Sequence, residues 1–360
     1  MLKFSGLQRL IFQIVLSPFS LLYGLIVSFV TFGYTIGLVK SSQFNLPVIG
    51  VGNLSIGGTG KTPHIEYLIM LLKDYIDVAT LSRGYKRHTK GFRLVQVHDT
   101  ALTVGDEPLQ FKRKFRDIVV AVGESRAYAI PQILQQHPNI QTVLLDDAFQ
   151  HLAVKPGLNI LLSAYDALFT RDFLLPSGRL REWRSGYNRA DCIIVTKCPI
   201  DLSSEDADEI RKEINPYNHQ KIFFTYYEYG LPYNFFNPTE RMSFSNDKDI
   251  ILLSAIAHTN YLLSYLERIS GNIYEIEFAD HHVFDTRDIE KIVNIYSNIS
   301  NEKKCVITTE KDAMRLDLHR EMLRKADIPI YVLPVRVRFH FDEQAEFDEY
   351  IKRYLLSFEV

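Results

Sequence analysis

The chain has 360 residues, 46% of them apolar and 23% charged, enough to bury a sizeable core in one large or two medium domains. This composition excludes collagen-like, disulfide-scaffold and disordered proteins. Lys and Arg number 41 against 43 Asp and Glu, a formal charge of -2, so no basic field argues for nucleic acid.

The balance is uneven at the N-terminus. No acidic residue precedes Glu66, and no charge occurs between Ile11 and Val39, which Lys3, Arg9 and Lys40 flank. A membrane span needs about 20 apolar residues, so this stretch is long enough. Pro18, Gly24, Gly33 and Gly37 interrupt it, and Gln13, Ser17, Ser20, Ser28 and Thr31 dilute it. Phe12, Phe19, Tyr23, Phe29, Phe32 and Tyr34 recur along it. The favoured reading is a helix or helical hairpin lying in or dipping into the bilayer interface. A true span, a buried core helix and a cleaved signal peptide are the alternatives. The last is weakened by the length of the stretch and the lack of a small-x-small site. Basic residues on both flanks leave the orientation unset.

Beyond Lys40, short apolar runs alternate with amphipathic stretches. Strands are expected at 48–51, 78–81, 118–122, 142–145, 159–162, 192–195, 222–226, 250–253, 273–278, 304–308 and 330–333. Helices are expected at 63–73, 125–136, 204–214, 260–269, 285–297 and 311–326. This alternation predicts an α/β fold with a largely parallel sheet. The polar, Pro- and Asn-containing stretch 229–249 reads as a linker to a second, smaller α/β domain. The expected organisation is a membrane-associated segment over 1–40, a P-loop domain over 41–228, that linker, and a second domain over 250–360. The C-terminal helix of the second domain is free to return to the first. Cys192, Cys198 and Cys305 are few and odd in number, which suits buried thiols in a reducing compartment.

The strongest motif spans residues 52–63, Gly-Asn-Leu-Ser-Ile-Gly-Gly-Thr-Gly-Lys-Thr-Pro. It follows an apolar run and opens an amphipathic stretch, the strand–loop–helix setting of a phosphate loop. Glycines let backbone N–H groups face phosphate oxygens, and the helix N-terminus adds its positive dipole end. Lys61 would reach the β- and γ-phosphates, and the Thr62 hydroxyl would bind Mg²⁺. Pro63 is tolerated in a first helical turn. Ser55 stands where the strict pattern has Gly, and Gly57 and Gly58 supply the freedom instead. The run Thr142-Val-Leu-Leu-Asp146-Asp147 supplies carboxylates at a strand end, where an open α/β sheet meets its ligand. Asp147 would also serve as a helix cap.

Three further constellations carry less specific signals. Val104-Gly-Asp106-Glu107-Pro108 reads as an acidic turn, solvated or catalytic. Ala279-Asp280-His281-His282 suits one titrating His paired with a carboxylate rather than a metal site. The loop at 175–182, Leu-Pro-Ser-Gly-Arg-Leu-Arg-Glu, suits an anionic substrate group or a plain surface loop.

As an ordered set these motifs resemble the tetraacyldisaccharide 4'-kinase family, the lipid A 4'-kinases of Gram-negative bacteria. Ser82-Arg83-Gly84-Tyr85, Asp146 through His151, Arg189-Ala190-Asp191 and Thr309-Glu310-Lys311-Asp312 complete the resemblance. Ala148 stands where the family usually has Gly, and Arg179 where Pro is common. The resemblance implies transfer of the ATP γ-phosphate, with Mg²⁺, to the 4'-hydroxyl of a tetraacyldisaccharide 1-phosphate at the cytoplasmic face of the inner membrane. The product is lipid IVA. It implies that Ser55, Ile56, Gly57, Gly58, Thr59, Gly60, Lys61 and Thr62 bind ATP, with Lys61 also acting in catalysis. Asp106 is the implied base, in a dyad with His281 about 175 residues away on what reads as another domain. Thr62, Glu107 and Asp146 are the metal-side candidates. Arg83, Arg126, Asp147 and Arg181 are the substrate-side candidates. Another P-loop kinase, a GTPase, or a nucleotide-dependent membrane adaptor are the competing readings. Guanine readers carry N/T-K-x-D, and Thr196-Lys197-Cys198-Pro199 fails that pattern at its fourth position.

Overall fold

The strand Val48–Asn53 is buried along its whole length, as expected of a strand covered on both faces of a parallel sheet. The computed structural model describes residues 6–257 and 259–358. Contacts divide the chain into two compact units. The first comprises Met1–Leu81, Ser125–Tyr227 and Val337–Val360, and the second comprises Ser82–Glu124 and Glu228–Arg336.

In the first unit, Val48–Asn53 pairs in parallel with Thr142–Asp146 on one side and Leu158–Ala164 on the other. Val78–Ser82 continues the sheet past Thr142–Asp146. Cys192–Thr196 and then Lys221–Tyr229 continue it past Leu158–Ala164. All these pairings are parallel, so the strand C-termini share one edge, the ligand-binding edge of such sheets. The register sets Val51 beside Asp146. The 52–63 loop and the two carboxylates therefore leave the sheet together. A Cβ on Gly52 would sit 2.7 Å from Phe149 Cβ, so glycine is what lets these two exits lie so close. The C-terminal helix Gln344–Leu356 belongs to this unit. Its Tyr354 hydroxyl donates to the Val48 carbonyl at 3.1 Å, and Asp348 accepts from the Tyr67 hydroxyl at 2.6 Å.

The second unit holds a five-stranded sheet in the order Ile273–Glu277, Asp249–Ser254, Lys304–Thr309, Ile330–Leu333, Tyr233–Asn234. Its pairings are parallel except the last. The aromatics of the stretch 229–249 argue against a disordered tether, and the structure agrees. The stretch carries the antiparallel edge strand and buries Phe235 and Met242, the aromatic and apolar content that a disordered linker lacks.

The expected first domain also loses residues 82–124, which belong to the second unit. The reason is a helix the sequence reading missed, Asp106–Lys114. Lys114 Nζ bonds Glu310 at 2.8 Å and Arg113 bonds Asp317 at 2.8 Å, both on second-unit residues. Asp106 and Glu107 therefore occupy a first helical turn rather than a free acidic turn. Carboxylates are favoured there by the helix dipole, and Pro108 is tolerated there. The helix expected over 311–326 is broken into Glu310–Leu316, a 3₁₀ turn Asp317–His319, and Arg320–Lys325.

The N-terminal stretch is one helix, Gly6–Thr35. Lys3 and the Arg9 side chain lie outside the described residues. Pro18 denies the Ile14 carbonyl its usual partner, and Ser17 Oγ supplies one at 2.8 Å. The buried-core reading fails, because 11% of the most apolar window is buried and Phe29 is 77% exposed. The hairpin reading fails because the helix is continuous. By length and composition this helix could cross a membrane. Cys192, Cys198 and Cys305 are free and buried, as expected.

Candidate active site

The loop ahead of the helix Lys61–Leu72 turns through left-handed backbone at Gly57 and Gly60, with φ of 117° and 89°. A Cβ on Gly60 would also collide with the Tyr227 hydroxyl. Neighbouring side chains hold carbonyls of the loop, while Thr59 N–H donates to Gly57 O at 3.0 Å and Ile56 N–H donates to Arg179 O at 2.7 Å. Thr196 Oγ1 donates to Thr59 O at 2.8 Å, and Lys197 Nζ donates to Gly58 O at 2.7 Å. Lys197, which in sequence stands only within the incomplete guanine signature, supports the loop. Pro199, at that signature's fourth position, has no carboxylate with which to read guanine.

His64 braces the same loop from below. Its Nδ1 bonds Gly60 O at 2.8 Å, and its Nε2 bonds Thr225 Oγ1 at 3.1 Å. Burial drives its pKa down to about 4, against a smaller opposing effect of the Gly60 carbonyl. The unfolded chain binds a proton near pH 6.5 that the folded chain excludes. His64 therefore costs no stability above that pH, and up to roughly 3 kcal/mol is lost as pH falls from 6.5 towards 4. Denaturant unfolding at pH 7 and pH 4.5 should show this loss, and His64→Gln should show a smaller one. Equal losses in both proteins would exclude His64 as the cause.

Lys61, Asp147 and Arg181 converge at the mouth of the loop. Lys61 Nζ lies 3.2 Å from Asn53 Oδ1 and 3.5 Å from Asp147. Arg181 Nη1 donates to both Asp147 oxygens at 3.0 Å and to Gln150 Oε1 at 3.1 Å. Gln150 Nε2 donates to Asn53 O at 2.8 Å, which closes the ring. Burial opposes the Asp147 charge, but Lys61 and Arg181 outweigh it and hold the pKa below the usual carboxylate value. Asp147 takes the left-handed backbone, φ 49°, which Asp tolerates better than most residues. Ala148 is therefore spared the conformation that the family's Gly would allow. Arg179 earns its place through its backbone N–H, which Pro lacks: this N–H bonds Asp172 Oδ1 at 3.1 Å, and its Nε bonds Oδ2 at 2.9 Å.

Asp146 ends its strand 2% exposed, and Thr62 begins the loop's helix, also buried. Arg126 is 2% exposed and donates to the Asp146 carbonyl at 3.3 Å. Among the described residues, no three His, Cys, Asp or Glu side chains gather as metal ligands. Mg²⁺ does not need such a cage. It uses one or two protein oxygens, several waters and substrate phosphates, and a hydroxyl with a carboxylate is a fitting donor set.

The second unit holds the other charged cluster. Asp106 Oδ2 accepts from His281 Nδ1 at 3.0 Å and from Arg315 Nη1. Arg315 also donates to Asp312 and to Ala255 O. Lys311 Nζ bonds Glu107 Oε1 at 2.9 Å and His281 Nε2 at 3.2 Å. An ammonium only donates, so Nε2 is the acceptor and Nδ1 carries the proton given to Asp106. Burial opposes the Asp106 charge, but Lys311, His281 and Arg315 outweigh it and hold its carboxyl well below the usual range. Burial lowers the Lys311 pKa, and Glu107 and Asp106 more than reverse that. His281 sits at φ 55° and meets the Tyr85 ring edge-on at 4.7 Å. Asp106 and His281 thus pair within one unit, not across two domains. His282 points elsewhere, bonding Asp288 at 2.7 Å and stacking on Phe278. Arg83 is exposed on this unit. Lys311 and Arg315 were not singled out as site residues from sequence. Thr309 caps this helix by accepting from Asp312 N, and a Thr three residues before an Asp at the end of an apolar run is the local signal that marks the helix start.

The profile of the family described as "Tetraacyldisaccharide-1-P 4'-kinase" matches residues 12–356. The chain belongs to the tetraacyldisaccharide 4'-kinase family. The proteins named tetraacyldisaccharide 4'-kinase from Flavobacterium johnsoniae and Bacteroides thetaiotaomicron are 45% and 42% identical to it. The alignments cover 95% of this chain and 96% of the first relative, and 94% and 92% for the second. The crystal structure of "apo" form LpxK from Aquifex aeolicus in complex with ATP is 28% identical, with a TM-score of 0.73. That match covers 95% of this chain and 99% of the other. Membership of the 4'-kinase family agrees with the α/β architecture and with a glycine loop set between a buried strand and a helix.

Proposed function

We propose that this chain is the ATP-dependent lipid A 4'-kinase its family implies, phosphorylating the 4'-hydroxyl of a tetraacyldisaccharide 1-phosphate to give lipid IVA. The observation that carries the reading is the Lys61–Asp147–Arg181 cluster at the mouth of the glycine loop. The start of the helix Lys61–Leu72, with its positive dipole end, and Lys61 bind the ATP phosphates, and Lys61 offsets charge on the transferring γ-phosphoryl group. Asp147 and Arg181 hold Lys61 in place and present a cation beside it. Thr62 and Asp146 would hold Mg²⁺, which supplies neutralisation of the phosphate oxygens when bound. Glu107 pairs with Lys311, so a metal role for it requires that ion pair to open.

A sugar hydroxyl is a weak nucleophile at neutral pH and must lose its proton as the new P–O bond forms. The Asp106–His281 pair accepts that proton at His281 Nε2, which requires Lys311 to give up its hydrogen bond to that nitrogen. Lys311 fixes the ring tautomer, and Arg315 keeps Asp106 ionised. The apolar, exposed N-terminal helix supports association with the membrane that carries the lipid, and the use of ATP supports the cytoplasmic face. The test is purified chain with labelled ATP and the acylated disaccharide, with GTP as the comparison. Labelled lipid from ATP is expected. Transfer from GTP alone, or nucleotide hydrolysis with no labelled lipid, would overturn the reading in favour of a GTPase or an adaptor.

A further inference from the structure

The stripe of the N-terminal helix formed by Ser20, Gly24 and Ser28 is hydroxylic and small, and it seats on the loop 174–183 of the same unit. Ser20 Oγ donates to Leu174 O at 3.0 Å and meets Ser177 Oγ at 2.7 Å. Trp183 Nε1 donates to Gly24 O at 3.1 Å and to Ser28 Oγ at 2.9 Å. A Cβ on Gly24 would collide with the indole and lie 2.8 Å from Leu174 Cδ1. This seat therefore closes only with glycine at that position.

Beside it, the Tyr23 hydroxyl donates to Arg181 O at 2.7 Å. Arg181 is anchored on its other side by the phosphate loop, its N–H donating to Leu54 O at 2.7 Å. Ile56 N–H donates to Arg179 O at 2.7 Å, and Ser55 bridges Leu180. The first half of the phosphate loop is thus paired like a short strand with residues 179–181. The Arg181 side chain then holds Asp147, which faces Lys61. A continuous set of direct contacts runs from the helix that meets the membrane to the lysine that meets the phosphates.

We propose that Tyr23 is a positioning residue for phosphoryl transfer. By fixing the Arg181 backbone between helix and loop, it makes the placement of Asp147 and Lys61 depend on how the helix is seated. This rests on the reading of Lys61 and Asp147 as phosphate-facing groups. Without the hydroxyl, the 179–181 segment keeps its bonds to the loop but loses its fixed point on the helix. Transfer rates respond to displacements well under 1 Å, whereas gross membrane attachment resides in the exposed apolar faces and should not change.

The test uses the full chain in vesicles of phosphatidylethanolamine and phosphatidylglycerol carrying the acylated disaccharide. Tyr23→Phe should lower kcat about three- to tenfold, the range expected for one hydrogen bond. The KM for lipid and the fraction sedimenting with vesicles should be unchanged. Gly24→Ala should lower kcat further, and adding Trp183→Leu should recover part of it by removing the clash, a non-additive pair. An unchanged kcat in Tyr23→Phe overturns the proposal. So does a loss traced to release from vesicles, or Gly24 and Trp183 effects that multiply. A wild-type chain that transfers nothing defeats the kinase reading itself. An active wild type, an inert Lys61→Ala and a fully active Tyr23→Phe defeat only the positioning role.

Discussion

Lys61→Ala should lower kcat/KM for lipid phosphorylation by at least about a hundredfold, or roughly 2.7 kcal/mol of transition-state stabilisation. The Lys61 side chain is 11% exposed, so its charge is only partly screened by water. It lies between Asn53 and Asp147 at hydrogen-bonding and ion-pair distances, which leaves the ammonium little freedom to drift from the phosphates. Removing it should not unfold the protein, because Arg181 still donates to both Asp147 oxygens. The loss should thus appear in the rate and not in the unfolding midpoint. Thr62→Ala, which removes a hydroxyl from the same turn, should cost a similar factor, and the cost should depend on Mg²⁺ concentration. Initial rates over a range of ATP, with thermal unfolding run in parallel, decide the matter. Near-wild-type turnover by Lys61→Ala would take the loop out of the chemistry.

The sheet of the first unit was readable because its strands are buried on both faces. A run such as Val48–Asn53 then has no polar alternation to confuse it, and two of the helices between runs, Arg126–Gln136 and Ser204–Ile214, carry a serine cap as a start signal. Ser203 is one such signal, accepting from Asp206 N, with Asn215 in left-handed backbone at the other end. What periodicity cannot say is which unit a segment joins. Residues 82–124 follow a strand of the first unit in sequence, yet contacts group them with the second. The decisive contacts, Lys114 with Glu310 and Arg113 with Asp317, are between residues about 200 apart. Nothing local in the chain encodes them.

The site divides along the same line. The glycine loop and the carboxylates after Leu145 are local motifs, and the structure holds Lys61 and Asp147 together as those motifs suggest. As a cation, Arg126 is a candidate to neutralise phosphate charge. Its burial beneath Asp146 depends on packing that sequence does not display. Lys311 falls within a motif of the resemblance but has no role there, and Arg315 has no signal at all. On a helix expected to run 311–326, two basic residues look like an ordinary solvated face. Only the pairing of that helix with Asp106–Lys114 turns them inward, onto Glu107 and Asp106. Tyr23 was visible only as one aromatic among several in an apolar stretch.

Asp106→Ala and His281→Ala should each lower kcat by about a hundred- to ten-thousandfold, and the double variant should be little worse than the poorer single. The geometry gives the reason for non-additivity. Lys311 has only protons to offer, so His281 accepts at Nε2 and must donate its Nδ1 proton to Asp106. Without Asp106, the ring has lost the partner that orients it. Without His281, Asp106 keeps Arg315, remains ionised, and has no imidazole to share the substrate proton. Either deletion disables the same proton transfer, and the second removes little more. The KM for ATP should change little, since neither residue belongs to the glycine loop. His282→Ala is the internal control. Its ring bonds Asp288 near the start of the helix Thr286–Asn298, so its loss should appear in the unfolding midpoint and leave kcat within a few-fold of wild type. If the Asp106 and His281 losses instead multiply, the two residues act on separate steps. If His282→Ala proves the more damaging, the wrong histidine has been placed beside the substrate.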